Sequence, residues 1–377
     1  LEKKKLVFFS ALPPYRGGIS QFSKRLLSEL ELLFEVVPFT FKSQYPNWLF
    51  PGKTQYNLKV EEHKQAKRIV STFNPISYIS ALKAIAKEKP QIFIVNYWMT
   101  FMSPMFVFWS KRLPKGTLRV AIIHNFIPHE SRFFDRIFNK WLVNNYDLFI
   151  ALSSQVAQDI KNVKPNAHVI HLPHPTYDHF EDAIDQIKAR KKLSVAKDKK
   201  TLLFFGIIRD YKGLDILIRA FSRLPSDFQL IIAGEIYGSG EEYQLLIHQS
   251  TNQNIFLFNE FISDEEVHIF FSASDLCVLP YRSGTQSGVK AVADKMFVPT
   301  LISNVGGIAE KICDKHDGFI IQDISPENLS TKIEEIFKDS TLKSVRDNLK
   351  MKEMNQELSW RSFAKSLNEK IRENSSA

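Results

Sequence analysis

Three loops in this chain gather residues able to hold an anion. The first is Pro13-Pro14-Tyr15-Arg16-Gly17-Gly18-Ile19. Gly17 and Gly18 let the backbone approach a ligand closely, and the helix they open offers free N–H groups to negative charge. The second runs from Gly206 to Gly213 and carries Arg209 and Lys212, three residues apart. A forked guanidinium beside a point cation suits a diphosphate. The third is Leu279-Pro280-Tyr281-Arg282-Ser283-Gly284-Thr285-Gln286-Ser287-Gly288. Its small hydroxyl residues and glycines can turn backbone amides toward a phosphate or a sugar oxygen. Each loop has an ordinary alternative: a plain turn, a solvated charged loop, a polar connection. Three of them in one chain, each between an apolar run and a helix, make a joint signal for a phosphorylated ligand.

The elements that must position these loops are short. Continuous apolar runs at Leu6–Phe9, Ile92–Asn96, Val120–His124 and Leu148–Ala151 read as strands in the first half. In the second half the strand candidates are Leu202–Phe205, Leu230–Ala233, Ile255–Phe258, Leu276–Leu279 and Thr300–Ser303. Their polarity does not alternate, which is the pattern of parallel strands buried on both faces. Helices are expected from Gly18, from Gly213, from Ser263 with Glu266 completing a capping box, and from Ser325 with Pro326 in its first turn. Strand and helix alternate throughout, so the expected class is α/β with doubly wound sheets.

A length of 377 residues fits two domains of ordinary size. The stretch His171-Leu-Pro-His-Pro-Thr-Tyr177 reads as the boundary, followed by a charged helix from Glu181 to Lys192. The expected domains are 1–175 with 359–377, and 176–358. From Ser359 a last helix places Trp360, Phe363, Leu367 and Ile371 on one face. Cys277 and Cys313 sit in apolar runs and read as small core residues of a reduced, cytosolic protein, not as a disulfide framework. No signal pattern or membrane-length apolar stretch is found, so a cytoplasmic location is expected. The first half holds the whole charge excess. Residues 1–175 carry 24 Lys and Arg against 11 Asp and Glu, an excess of 13 positive charges. Such a field favours anionic partners or serves solubility.

At this point the order and spacing of the pieces resemble the retaining glycosyltransferases of family 4, over nearly the whole chain. The resemblance runs through Gly17-Gly18, Ile123-His124-Asn125, Pro128-His129-Glu130, Arg209 and Lys212, Ala233-Gly234-Glu235, Ser274-Asp275-Leu276, Pro299 and Gly306-Gly307. It implies the GT-B architecture of two facing Rossmann-like domains, with the Ser359-Trp360 helix crossing back to the first. It implies a nucleotide-sugar donor, UDP or GDP, and a glycan or lipid-linked acceptor in polysaccharide or glycolipid assembly. Arg209 and Lys212 match the cation pair on the donor diphosphate, and His124 matches a histidine near the reacting centre. Gly17 and Gly18 match the glycine loop near the phosphates and the transferred sugar. Glu235 helps to hold the base or ribose. Thr285, Gln286, Ser287 and Gly288 match a loop whose amides contact sugar and phosphate, and Gly206 and Tyr281 belong with this donor-binding set.

One departure is visible. The family usually carries two glutamates eight positions apart, and counting back from Pro299 puts Gly284 and Val292 there. Asp294 cannot replace the second, since two helical positions turn it about 200° away. The expected branch therefore carries a Ser-Gly-Thr-Gln-Ser-Gly loop instead. No Asp-x-Asp pair occurs, so neither metal nor cofactor is expected, and Arg209 and Lys212 stabilise the leaving diphosphate. His171, His174 and His179 lack metal-ligand spacing. A non-catalytic nucleotide-sugar binder and a GT-B epimerase stay open as alternatives. Nothing in the motifs supports nucleic acid. Two stretches, Tyr97 to Lys115 and Arg132 to Trp141, interleave aromatic and basic residues. They suit either core packing or peripheral docking on an anionic membrane.

Overall fold

The computed structural model describes the chain except residues 1–2, 46–53, 58–62, 128–132, 176–179, 285–286, 311, 339, 355–358 and 376–377. It divides into two compact units, Leu1–Pro175 with Glu357–Ala377, and Thr176–Gln356.

The first unit is built on seven parallel strands. They are β1 (Lys5–Phe9), β2 (Glu35–Ser43), β3 (Lys67–Ser71), β4 (Ile92–Tyr97), β5 (Leu118–Ile123), β6 (Leu148–Ala151) and β7 (Val169–His171), in the order β3-β2-β1-β4-β5-β6-β7. Helices α1 (Gly18–Leu33), α2 (Pro75–Lys87), α3 (Ser103–Ser110), α4 (Asp135–Val143) and α5 (Ser154–Val163) connect them. The continuous apolar runs have a direct cause. Leu6 and Phe8 of β1 enter one hydrophobic cluster, and Val7 and Phe9 enter another. Both faces are covered, so Leu6 to Phe9 all meet apolar neighbours and the strand does not alternate in polarity.

The second unit repeats the plan with six parallel strands. They are β8 (Lys200–Phe205), β9 (Phe228–Ala233), β10 (Ile255–Phe258), β11 (Leu276–Leu279), β12 (Thr300–Ser303) and β13 (Phe319–Ile321), in the order β10-β9-β8-β11-β12-β13. Its helices are α6 (Gln186–Lys192), α7 (Leu214–Phe221), α8 (Glu241–Gln249), α9 (Asp264–Ser272), α10 (Gly288–Lys295), α11 (Pro326–Lys338) and α12 (Thr341–Met354). Leu202 and Phe204 face one cluster while Leu203 and Phe205 face the other. Helix α9 starts as its sequence requires: Ser263 N–H and Ser263 Oγ both donate to Glu266 Oε2, at 3.4 and 2.6 Å. The final helix, α13 (Trp360–Ser375), returns to the first unit. Trp360, Phe363, Ala364, Leu367 and Ile371 share a cluster with Phe22, Leu26, Leu27 and Leu30 of α1.

Three local expectations are corrected. The charged helix begins at Gln186 and not at Glu181, because Asp185 caps it, accepting from Lys188 N–H at 3.0 Å. His124 lies just past the end of β5 instead of within it. Cys277 is buried, but Cys313 is exposed and is no core residue. No helix among the described residues is long and apolar enough to cross a membrane.

Candidate functional site

Both sheets change strand order beside their first strand, between β1 and β4 and between β8 and β11. Loops leaving the carboxyl ends on either side of such a point diverge and open a crevice for a ligand. In the second unit those loops are residues 206–213 and 280–287.

Glycines draw the loops of the second unit together. Gly206 follows β8 with φ +96°, and its N–H donates to Ala233 O at 2.9 Å. A methyl carbon on Gly234 would lie 2.1 Å from Gly206 O, so the turn after β9 tolerates no side chain against the turn after β8. Gly213 has φ +70°, and a methyl carbon there would lie 2.1 Å from Pro280 O. The same two loops are joined by charge. Arg282 N–H donates to Tyr211 O at 2.7 Å, and its guanidinium reaches Asp210 O at 2.5 Å and Asp215 Oδ2 at 2.6 Å. The third loop is fixed on its other side. Gly307 N–H donates to Gly284 O at 3.2 Å, and a methyl carbon on Gly284 would lie 2.0 Å from Ile308 Cδ1.

Lys212 stands at the centre of this arrangement. It is buried, and its Nζ lies 3.3 Å from where a methyl carbon on Gly206 would sit and 5.8 Å from the Tyr281 ring centre. Among the described residues no carboxylate pairs with it. Burial first, and then the Arg209 guanidinium, push its pKa down to about 8. Arg209 itself is half-buried at the turn preceding Lys212. Tyr281 is buried, with its hydroxyl 3.5 Å from Ser287 Oγ. Ser287 caps α10, accepting from Lys290 N–H at 3.4 Å, and Gly288 begins that helix. Gly206, Lys212, Tyr281 and the start of α10 therefore converge: Val289 Cγ2 is also 3.3 Å from the Gly206 methyl position. Glu235 is buried beside them, its carbonyl accepting from Ile208 N–H at 2.9 Å. Lys290 and Asp294, one turn apart on α10, are paired with each other. Val292 packs in the core.

The first unit places its residues separately. Gly17 caps α1 with φ +97° and nothing within 4 Å of a methyl position, so backbone conformation and not space requires glycine there. Gly18 is exposed at the first turn. A buried network holds this helix: Asn96 Nδ2 donates to Ser10 Oγ at 3.0 Å and to Ser23 Oγ at 2.9 Å. Sequence reasoning missed these three residues, although a polar Asn96 closing an apolar strand was the available signal. His124 is buried after β5. Its N–H donates to Tyr97 O at 2.9 Å and its ring meets Phe22 of α1 edge-on, 4.6 Å between centres. Burial, and then nearby His174, push its pKa well below the usual histidine range, so the ring is neutral at pH 7. Pro128, His129, Glu130, Thr285, Gln286 and His179 lie outside the described residues. Among the described residues no three His, Cys, Asp or Glu side chains gather as metal ligands.

Comparison with known proteins gives two family matches in succession. Residues 16–176 match Glycosyltransferase Family 4, and residues 185–356 match Glycosyl transferases group 1. A D-inositol 3-phosphate glycosyltransferase of Corynebacterium aurimucosum is 23% identical over 217 residues, 54% of this chain and 52% of that protein. An uncharacterised glycosyltransferase of Methanocaldococcus jannaschii is 24% identical over 184 residues, 48% of this chain and 47% of that protein. The chain spans about half the length of these curated relatives. Among solved structures, sucrose-phosphate synthase of Thermosynechococcus elongatus has a TM-score of 0.79 at 18% identity, covering 98% of this chain and 99% of that one. Anabaena HepE in complex with UDP and glucose has 0.78 at 15% identity, covering 98% and 100%. At such identities the likeness establishes the fold: two parallel-sheet Rossmann-like domains of the GT-B type.

Proposed function

Because the chain belongs to glycosyltransferase family 4, the group 1 glycosyl transferases, we propose that it moves a glycosyl group from a nucleoside diphosphate sugar to a hydroxyl of a glycan or lipid-linked acceptor. The observation that carries this reading is Lys212: a buried ammonium beside a second cation, with no described carboxylate to neutralise it. Proteins rarely keep such a group unless a negative ligand completes it. A diphosphate is that ligand, held by Lys212, by Arg209 and by the amides at the start of α10.

In the proposed step the acceptor oxygen forms a bond to the anomeric carbon while the bond from that carbon to the diphosphate oxygen breaks. The electron pair leaves with the nucleoside diphosphate, and the acceptor proton passes to a leaving phosphate oxygen on the same face. Attack and departure on one face retain the configuration. Charge grows on the diphosphate, so fixed cations there bind the transition state more tightly than the ground state. The two cations carry this work without a bound metal. In the first unit, Gly17 and Gly18 open α1 beside that unit's own switch point, and His124, being neutral, can offer a hydrogen bond but not a cation. Glu235 holds the base or ribose, and Tyr281, Thr285, Gln286, Ser287 and Gly288 line the donor loop.

UDP-glucose, the ligand class seen in the Anabaena protein, is the first probe, with GDP-mannose as the second. Donor hydrolysis without acceptor is expected to be slow but measurable, and donor is expected to raise the melting temperature. Arg209→Ala with Lys212→Ala is expected to lower turnover roughly a hundredfold or more. Unchanged turnover in that double variant would overturn the reading. A raised melting temperature with no hydrolysis would identify a binder instead of an enzyme.

A further inference from the structure

The two aromatic and basic stretches singled out in the sequence have different fates. In the first, Met105, Phe106 and Trp109 are buried in the core, and Arg112 lies over the Phe108 ring at 4.1 Å. That stretch is packing. The second is not. Phe133 is 91% exposed, Ile137 50% and Trp141 46%, with Ile127 nearby in sequence at 49%. The rings of Phe133, Phe134, Phe138 and Trp141 form an unbroken ladder, with centres 5.3, 5.1 and 5.3 Å apart. Phe133, Ile137 and Trp141 follow one another in steps of four, and Phe134 and Phe138 are a further such step, so the rings run along one side of α4 and the turn that opens it. Arg136 and Lys140, also four apart, are exposed on the same short helix.

The charge around this stripe is mainly positive. Residues 103–143 carry seven Lys and Arg against two acids, Glu130 and Asp135, and Asp135 is buried and accepts from the Thr100 hydroxyl. Lys111, Arg112 and Lys115 follow α3, which packs on α4, and all three are exposed. The whole stretch 1–175 has an excess of 13 positive charges. A protein partner would have to supply both an apolar groove and a mainly acidic rim. An anionic bilayer offers both at once, since aromatic rings settle at headgroup level while lysine and arginine meet lipid phosphates.

We propose that the exposed stretch Phe133–Trp141, formed by α4 and the turn that opens it, docks the protein on an anionic membrane surface. The helix has nine residues, so docking is shallow and reversible, not anchoring. The inference rests on the transferase reading only in its purpose, which is to bring a lipid-linked acceptor within reach.

The test is co-sedimentation of the full chain with vesicles of phosphatidylcholine alone, and with vesicles of phosphatidylcholine and phosphatidylglycerol in equal parts. Binding is expected to the anionic vesicles only, and high salt is expected to release it. Phe133→Ser with Trp141→Ser is expected to weaken binding roughly tenfold or more by removing buried ring area. Arg136→Gln with Lys140→Gln is expected to weaken it roughly thirtyfold, at about fivefold per basic residue. All four side chains are exposed, and circular dichroism checks that the variants fold. Donor hydrolysis in the same samples is expected to be unchanged. Vesicle binding without hydrolysis would sink the transferase reading and leave the docking surface standing. Absence of binding by the wild type, or variants that bind as it does, would overturn the docking proposal. So would a dimer that Phe133→Ser dissociates, formed without any vesicle binding.

Discussion

A lysine held out of water beside an arginine costs the folded state free energy until an anion arrives. Lys212 is in that position, with a pKa near 8 against 10.5 for an ordinary lysine. The unfolded chain therefore binds this proton more tightly than the folded chain does. Below about pH 8 the penalty is fully present, and it fades as pH rises from about 8 to 10.5. Lys212→Met keeps the length of the side chain and removes the charge. It is expected to raise unfolding stability at pH 7 by about 2 kcal/mol, with the advantage shrinking by pH 10. Urea denaturation of both proteins at the two pH values reads this directly, and equal stability at pH 7 would contradict it. The same variant is expected to lose the donor-induced rise in melting temperature. The three-residue spacing of Arg209 and Lys212 was legible in the sequence. The burial of Lys212 was not, because it depends on Gly206 and Tyr281, which belong to two different strand ends. Cys313 shows the reverse error: an apolar neighbour, Ile312, suggested burial, and the residue is exposed.

Whole elements obey the same distinction between local and distant causes. Strands covered on both faces were legible because their sequences are apolar throughout, as at Leu148–Ala151 and Leu276–Leu279. Strand β2 was missed because Pro38, Thr40 and Lys42 interrupt its apolar pattern. Strands β7 and β13 were missed because each has three residues and forms one edge of its sheet. The loop after β11 illustrates a distant cause. The family resemblance led to the expectation of a glutamate where Gly284 stands, and the structure shows Ile308 filling the space its side chain would enter. The element that follows β12 thus dictates a residue in the loop that follows β11. Gly284→Ala is expected to destabilise the protein by about 1–3 kcal/mol through overpacking. Ile308→Ala removes the atoms in conflict, so the double variant is expected to recover much of that loss beyond additivity. A double-mutant cycle by thermal unfolding measures the coupling, and strict additivity would refute this account of the loop.

At the scale of the molecule, each unit has its own sheet and its own pair of hydrophobic clusters. The alternation of strand and helix made the doubly wound class legible. The apolar stripe of the last helix was legible as well, but its partner on α1 is about 340 positions earlier and no local pattern points to it. Trp360, Phe363, Leu367 and Ile371 are all buried. At about 1.5–3 kcal/mol for each large apolar side chain buried, the four together approach the net stability of a whole domain. A chain ending at residue 358 is therefore expected to lose the cooperative unfolding transition of its first unit. Residues 176–356 expressed alone are expected to keep theirs. Scanning calorimetry of the two fragments decides it, and a first unit that still melts cooperatively without α13 would overturn the assignment. This arrangement also sets a timetable. On the ribosome the last strand of the first sheet ends at His171 and α13 starts at Trp360. Synthesis at about 5–20 residues per second puts roughly 10–40 s between them. Through that interval Phe22, Leu26 and Leu30 wait uncovered, while the later-made unit can finish folding. A chain interrupted late in synthesis would thus carry a sound second unit and an open first one. Its exposed apolar face is the kind of mark by which chaperones and proteases distinguish an incomplete chain from a finished one.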